Sequence, residues 1–340
     1  MTPRCLIHWP KNPKGLSVQL DQTHVAIRSR TLTEISDLAM VMIRSYPSAL
    51  LYGFAMGALP WAILNAVLLG WIPITEYRFA TYDEDMAANL TKYQILMALL
   101  VFLQTPAAGV LTTIYVGQAV FESRPPWRSV FKEAKRSLWR WFWVLGILRG
   151  PIPLMALLLL NWGQDRAYDL DYVWPILLAS WVAIVRSNRP FMPEILLLER
   201  CPLRTNQKSE AIPVNRRSAA LHRPIAGELI GRFLSMSALL IVLCMLGFYS
   251  LLWLRGILFG LWEWDAVVYL VLFPLSLWAA GAISVLVRFL SYLDTRIRLE
   301  GWEVQLAVRA EAIRQFGETE LAGETVKGNA VAAAAPGGSL

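Results

Sequence analysis

Charged residues and prolines interrupt an otherwise apolar part of the sequence near residue 190. Arg186, Arg189, Glu194 and Glu199 lie there, with prolines at positions 190 and 193. Two prolines this close cannot both lie within one straight helix, because each removes a backbone donor. Freed backbone groups and charges at a helix break bind ions and solutes in transporters. A simpler interpretation, which we favour, ends the helix at residue 185 and places these charges in the lipid headgroups on an interfacial helix.

Arg149 is a second candidate, because it lies inside the apolar run 141–162. A charged side chain at such a depth costs about 2.5 to 3.5 kcal/mol. One interpretation is a contact between helices with an anion or a lipid headgroup. The other, which we favour, lets Arg149 extend to the inner membrane surface, since Gly150, Pro151 and Pro153 interrupt the helix there.

A third charged group follows the last apolar run and could bind a partner protein. Asp294 and Arg298 are four residues apart, as are Arg296 and Glu300, and Gly301 follows. Oppositely charged residues at this spacing form ion pairs on the surface of a helix. The pattern predicts that the last membrane helix continues beyond the bilayer to about residue 316.

Enzymatic and metal-binding patterns are missing from the sequence. The three cysteines and three histidines show no metal-ligand spacing, and no nucleophile with a base or glycine-rich phosphate loop is recognisable. The apolar runs contain almost no acidic residues that could relay protons. The sequence therefore predicts neither an enzyme nor a cofactor or metal site.

Long apolar runs determine the fold class. The 340-residue chain is 56% hydrophobic and 17% charged, with a mean hydropathy of +0.44. A membrane helix needs roughly 20 apolar residues to cross a hydrocarbon core of about 30 Å. We expect an all-α, polytopic membrane protein with six transmembrane helices, at residues 48–71, 93–120, 141–162, 172–198, 233–254 and 266–287.

The positive charges predict the orientation of these helices. The chain has 32 lysines and arginines. Four of them lie in the loops on one side, namely Arg78, Lys92, Arg166 and Arg255, and Arg149 lies inside an apolar run. All the others lie on the opposite side. Because basic loops stay in the cytoplasm, both termini are predicted to be cytoplasmic, in a bacterial cytoplasmic membrane. Insertion explains the net charge of +7, so nucleic acid is not an expected partner. No cleavable signal peptide is expected.

Basic amphipathic segments precede the membrane helices. Residues 31–42 begin with a Thr-x-x-Glu capping pattern, and residues 127–138 alternate apolar and basic residues at helical spacing. A weaker segment at 216–232 contains Pro224. We expect these helices to lie on the inner membrane surface, with apolar side chains in the lipid and cations against anionic headgroups. The chain then repeats one plan three times: a surface helix followed by a membrane hairpin.

Three stretches carry a family resemblance: residues 119–134, residues 189–200, and the Asp-x-Arg-x-Arg-x-Glu-Gly pattern at 294–301. Together they resemble a large bacterial family of six-helix membrane proteins, similar to the membrane domain attached to some glycerophosphodiester phosphodiesterases. The resemblance covers roughly residues 30–312. It implies a fold and a membrane location but no reaction, because the phosphodiester chemistry of those enzymes belongs to a separate catalytic domain that this sequence does not contain.

The sequence thus predicts a basic tail at 1–30, a membrane domain at 31–316 and a disordered tail at 317–340. The function that fits best is a non-enzymatic scaffold, or a lipid-interacting accessory component of an envelope complex that contacts other membrane proteins. The alternative is a transporter of a small solute or lipid, with its site at the broken fourth helix.

Overall fold

The computed structural model describes residues 32–79, 84–120, 125–149, 151–160, 169–203 and 212–300. The predictions for the two tails, for Gly301 and for the helical extension to residue 316 lie outside these residues. Within the described ranges every regular element is helical, so the all-α class is confirmed.

The described ranges contain α-helices throughout. They are α1 (Leu32–Ser45), α2 (Ala55–Leu69), α3 (Trp71–Phe79), α4 (Glu84–Ala108), α5 (Val110–Ala119), α6 (Trp127–Arg136), α7 (Leu138–Trp141), α8 (Pro151–Leu160), α9 (Asp169–Asn188), α10 (Met192–Leu197), α11 (Val214–His222), α12 (Ala226–Phe259) and α13 (Phe273–Glu300). Wider π-helical turns at Ala49–Phe54, Phe142–Leu148 and Val268–Leu272 precede α2, α8 and α13.

Among the described residues, four helical segments are long and apolar enough to cross a membrane: Ala49–Leu69, Met86–Ala108, Val214–Phe259 and Val268–Leu299. A bent pair, Leu138–Leu148 with Pro151–Leu159, makes a fifth if it counts as one span. Large apolar side chains such as Leu246, Trp253 and Phe259 point outward from α12 and are more than half exposed. An apolar outer surface of this kind is suited to lipid, as expected of a membrane protein.

The third predicted helix is not straight. Its two halves meet at an angle of 59°. Pro151 and Pro153 account for the bend, since proline at the start of α8 is compatible with a helix but cannot continue the preceding one.

The fourth predicted helix is broken, and our favoured interpretation of the break is wrong in two respects. The first part, α9, continues three residues past the predicted end, to Asn188, and α10 begins at Met192. Moreover, α10 does not lie exposed at a surface, because Glu194 and its neighbours Ile195 and Leu196 are completely buried. Pro190 and Pro193 therefore end one helix and start another inside the bundle.

Helices α4 and α13 lie at the centre of the fold. Helix α13 packs against α1, α4 and α12, while α4 also packs against α2, α3 and α9. Two apolar clusters fill the interior, one around Tyr93 and Leu100, the other around Phe191 and Tyr292. The Tyr93 hydroxyl donates to the Tyr269 carbonyl at 2.8 Å, which satisfies a polar group that would otherwise be costly to bury.

The predicted surface helices form, but not all of them as expected. Ile35 and Ala39 on α1 are buried in the protein, so this apolar face packs against protein and not against lipid. The segment predicted at 216–232 is divided by a 3-10 turn at Arg223–Ile225, because Pro224 cannot continue α11. Helix α6 is amphipathic as predicted, with Val130 buried and Phe131 exposed.

Candidate functional site at the helix break

Arg186 binds backbone carbonyl groups on a neighbouring helix. Near the end of α9, it donates hydrogen bonds to the carbonyl oxygens of Phe102 and Leu103, the latter at 2.7 Å. Its guanidinium carbon also lies 4.3 Å from the centre of the Phe102 ring. The Phe102 carbonyl is available because Pro106, four residues later in α4, has no N–H group. The predicted site residue thus caps a proline interruption within the bundle.

Glu194 pairs with an arginine that the sequence analysis did not single out. The Arg288 Nε atom, on α13, donates to Glu194 Oε1 at 2.7 Å. The Glu194 side chain is completely buried, and that of Arg288 is 15% exposed. Arg288 is a basic residue close after the last apolar run, a position that could have been noticed in the sequence.

Arg149 is held inside the protein, so the prediction that it reaches the membrane surface is wrong. The residue is only 5% exposed, and its Nη2 atom donates to the Arg189 carbonyl at 2.6 Å. Arg189 itself is exposed, and its Nη1 atom donates to Asn215 Oδ1 at 2.9 Å. The break between α9 and α10 supplies the carbonyl group that Arg149 binds.

These residues form a buried group with unequal charges. Arg149, Arg186 and Arg288 are close enough to repel one another electrostatically, and Glu194 attracts Arg149. We call these four residues the arginine cluster. Three polar atoms in it are buried and have no hydrogen-bond partner: Arg186 Nε, Arg288 Nη2 and Glu194 Oε2. The cluster thus contains three guanidinium groups and one carboxylate, and the carboxylate forms its ion pair with Arg288. Two hydrogen-bond donors and one acceptor in the cluster remain without a partner.

The backbone at the break is also satisfied by His222. The Phe191 N–H donates to His222 Nε2 at 3.2 Å, and His222 Nδ1 donates to the Ser218 carbonyl at 2.6 Å. The two rings of Phe191 and His222 stack with centroids 5.3 Å apart. Non-helical backbone at membrane depth is tolerated only where protein groups complete its hydrogen bonds. Sequence reasoning treated His222 only as one of three unspaced histidines.

Glu199 is the centre of a second polar network. It accepts two hydrogen bonds from Arg217, one of them 3.0 Å long, and one from the Tyr292 hydroxyl at 2.7 Å. Arg296 Nη1 lies 3.7 Å from the same carboxylate. The network joins the segment after α10 to α11 and α13. Its role in holding these elements together is structural.

The ion pairs predicted on the last helix are mostly not on the surface. Asp294 is 3.8 Å from Arg298 as the spacing predicts, but Asp294 is buried and also pairs with Arg232 of α12 at 3.0 Å. Arg296 is likewise buried, in the Glu199 network. The Glu300 side chain lies outside the described part of the chain. Of the predicted partner-binding residues described, Arg298 alone is exposed.

Asn65 and Gln104 form a buried polar contact in the membrane-spanning part of the fold that was not predicted. Each side-chain amide donates to the other, at 2.8 and 2.7 Å, and both residues are at most 1% exposed. Reciprocal amide hydrogen bonds of this type join helices α2 and α4. Polar residues inside apolar runs were a signal that could have indicated the contact.

The described residues offer an anion a set of donors but offer a metal ion no cluster of ligands. Over those ranges, no group of three or more histidine, cysteine, aspartate and glutamate residues could hold a metal ion. The arginine cluster can instead bind an anion electrostatically, because guanidinium groups present several fixed donors to an oxyanion.

No protein-family model, curated protein or solved structure matches the chain.

Proposed function

We propose that the protein is a non-enzymatic component of a bacterial cytoplasmic membrane, with six membrane segments and cytoplasmic termini. In this proposal it binds anionic lipid and serves as an accessory or scaffold of an envelope complex. The concentration of basic residues on one set of loops supports this orientation. The resemblance to six-helix bacterial membrane proteins supports the same class.

The surface of α6 is the observation that carries the lipid contact. Four cationic side chains are exposed on this helix, namely Arg128, Lys132, Lys135 and Arg136. Phe131 is 39% exposed beside them. A helix that offers cations and an aromatic ring together is suited to the interface of an anionic membrane.

Specific contacts fix α6 against the rest of the protein. The Ser129 hydroxyl donates to Gln118 Oε1 at 2.8 Å, and Glu133 forms an ion pair with Arg200. These contacts hold the helix to α5 and to the segment after α10. The cationic surface is therefore oriented before lipid binds, which reduces the entropy lost on binding.

Lipid retention tests this proposal. The full chain is purified in mild detergent from membranes containing phosphatidylglycerol, and the bound lipids are identified by native mass spectrometry. Because each basic residue near an anionic surface contributes about 1 kcal/mol, the double variant Lys132→Gln/Lys135→Gln should retain clearly less phosphatidylglycerol. Arg78→Gln/Lys92→Gln removes the same charge from the opposite loops and should retain as much as the unchanged protein. Equal retention by both variants would contradict the lipid contact.

The scaffold part of the proposal depends on the end of α13. Since Asp294 and Arg296 are buried, a partner protein would contact Arg298, Leu299 and the residues after them. Proteins that co-purify with the full chain should be lost when Arg298 and Leu299 are replaced by glutamate. Unchanged co-purification would exclude this surface as the partner site.

A transporter of an anionic solute or lipid is the second candidate function. The charge imbalance of the arginine cluster at the α9–α10 break favours it, because transporters bind ions at discontinuous helices. Sealed vesicles containing the purified full chain should then take up radiolabelled phosphate faster than empty vesicles. Uptake no faster than in empty vesicles would exclude phosphate as a transported solute.

A further inference from the structure

The arginine cluster has more positive charge than its surroundings neutralise. Arg149 and Arg186 are 5% and 6% exposed, and their observed hydrogen-bond partners are backbone carbonyls, which carry no net charge. Glu194 is the carboxylate that pairs with Arg288. Removing charged groups from water costs several kcal/mol for each ion unless an opposite charge compensates it. The cluster is therefore more stable with an additional anion.

The unused hydrogen-bonding atoms indicate which kind of anion fits. Arg186 Nε and Arg288 Nη2 are donors, and each is buried without an acceptor. Glu194 Oε2 is an acceptor that is buried without a donor. A ligand that satisfies all three needs oxyanion oxygens for the two arginines and a hydroxyl group for the glutamate. Chloride supplies no hydroxyl donor, whereas a phosphate group with an adjoining O–H supplies both functions.

The position of the cluster is consistent with such a ligand. Arg186 lies in the last turn of α9, and Arg288 directly follows the apolar run 266–287, so both are in the half of the bundle that leads to the basic loops. Arg288 is the most exposed of the three arginines in the cluster. A ligand would reach the cluster from the side of Arg288.

We infer that Arg149, Arg186, Arg288 and Glu194 form a binding site for one phosphate group that carries or adjoins a hydroxyl. Two sources share this chemistry. One is inorganic phosphate or a soluble phosphomonoester, and the other is a phosphatidylglycerol headgroup, whose glycerol provides the hydroxyl. The site rests on the proposed function in one respect, the location of the protein in a membrane. It is separate from the α6 surface, so an experiment can disprove one of the two lipid contacts and leave the other standing.

Binding of inorganic phosphate to the full chain in phosphatidylcholine nanodiscs tests the site. Calorimetry should detect saturable binding to the unchanged protein. Arg288→Gln removes one charged hydrogen bond and one positive charge, so the affinity should fall about tenfold or more. Glu194→Gln removes the negative charge that opposes an anion, so phosphate should bind at least as tightly. Arg78→Gln removes the same charge from the exposed end of α3 and should bind as the unchanged protein does.

Nanodiscs of phosphatidylglycerol distinguish the two sources. If the headgroup occupies the site, added phosphate binds more weakly there than in phosphatidylcholine, and native mass spectrometry finds more phosphatidylglycerol on the unchanged protein than on Arg288→Gln. If the ligand is soluble, phosphate binds equally in both lipids. Either result supports the site.

The inference is overturned if the unchanged protein neither binds phosphate nor retains phosphatidylglycerol better than Arg288→Gln does. It is also overturned if Arg288→Gln and Arg78→Gln reduce binding equally, because binding would then depend on general surface charge. Arg288→Lys serves as a second variant in case Arg288→Gln does not fold. It keeps the charge but lacks the Nη2 donor, and it should show an intermediate affinity.

Discussion

The Arg186 guanidinium group donates a hydrogen bond to the Phe102 carbonyl, which has no backbone donor because Pro106 lacks an N–H group. A carbonyl left without a donor inside a bundle costs free energy comparable to a lost hydrogen bond. The charge of Arg186 and the proline in a different helix are thus two parts of one arrangement. Neither is explained by the local sequence around it.

Replacing Arg186 should therefore destabilise the protein by an amount that depends on Pro106. Arg186→Met leaves the Phe102 carbonyl without its donor, at about 1 to 3 kcal/mol, whereas the Leu103 carbonyl keeps the backbone N–H of Ala107 within α4. In a Pro106→Ala background the loss should be smaller, because the introduced alanine would provide a backbone N–H for the Phe102 carbonyl. The thermal unfolding midpoint in detergent measures both effects.

A second proline provides the control for this double-mutant cycle. Pro60 lies inside α2 and is not part of the Arg186 contact. Pro60→Ala should leave the cost of Arg186→Met unchanged, whereas Pro106→Ala should couple to it by about 0.5 to 3 kcal/mol. If the costs of Arg186→Met and Pro106→Ala simply add, the proposed relationship is wrong.

A close helix crossing at Gly57 gives the second prediction. A Cβ atom added at Gly57 would lie 2.0 Å from the Ala108 carbonyl oxygen, which backbone cannot easily avoid. Gly57→Ala should destabilise the protein by about 1 to 3 kcal/mol, because α2 and α4 would have to separate.

Gly247 on α12 is the matched control, since a Cβ atom there meets no other atom within 4 Å. Gly247→Ala should leave the unfolding midpoint unchanged or raise it slightly, as alanine favours a helix. Detergent unfolding monitored by tryptophan fluorescence compares the two variants. Equal midpoints would mean that α2 and α4 do not approach as closely as described.

The Glu199 network gives the third prediction. Glu199 has a side chain that is 2% exposed and accepts hydrogen bonds from Arg217 and Tyr292. Glu199→Gln removes the negative charge that Arg217 and Arg296 share inside the protein, so the free energy of unfolding should fall by about 3 kcal/mol or more.

An exposed ion pair near the same end of α13 provides the comparison. Arg298 and Glu228 have side chains that are 36% and 37% exposed. Arg298→Gln should cost no more than about 1 kcal/mol, since water screens such pairs. Similar losses for Arg298→Gln and Glu199→Gln, measured by denaturant unfolding in detergent, would contradict the buried character of the Glu199 network.

The elements that could be predicted from the sequence are those set by local pattern. The Thr-x-x-Glu signal and apolar spacing predicted α1, and the charged and apolar faces predicted α6. Long apolar runs predicted the four segments that are suited to crossing a membrane. These features depend on residues near one another in the chain, so a single sequence contains enough information to place them.

The burial of Arg149 and the pairing of Glu194 could not be predicted in the same way. Both depend on which helices become neighbours, because Arg149 binds a carbonyl at the α9–α10 break and Glu194 binds Arg288, 94 residues away. Our preference for solvated charges followed the usual behaviour of isolated charges at membrane surfaces. It was wrong because the surrounding helices supply carbonyls, a carboxylate and His222 at the break.

The last prediction concerns the number of membrane segments. The side of the membrane on which residue 164 lies distinguishes six segments from four. If the bent pair and α9 both cross the bilayer, residues 161–168 lie outside the cell and six segments result. If neither crosses, everything between α5 and α12 stays in the cytoplasm and only four segments cross. Residues 80–92 and residues 121–140 are in the same compartments in both arrangements, so labelling them cannot distinguish the two arrangements.

The distribution of basic residues favours six segments, because Arg166 is the only lysine or arginine between the third and fourth apolar runs. The length of α9 does not decide the question, since the apolar part of this 20-residue helix, Val173–Asn188, is shorter than the four candidate spans. A cysteine in place of Gln164, in a background with Cys5, Cys201 and Cys244 replaced by serine, should react with a membrane-impermeant maleimide added to intact cells. Cysteine at Ala87 should react too, and cysteine at Lys132 should react only after the cells are permeabilised. If the cysteine that replaces Gln164 reacts only after permeabilisation, as the one that replaces Lys132 does, the protein has four segments. The third and fourth apolar runs would then enter the membrane and return on the same side.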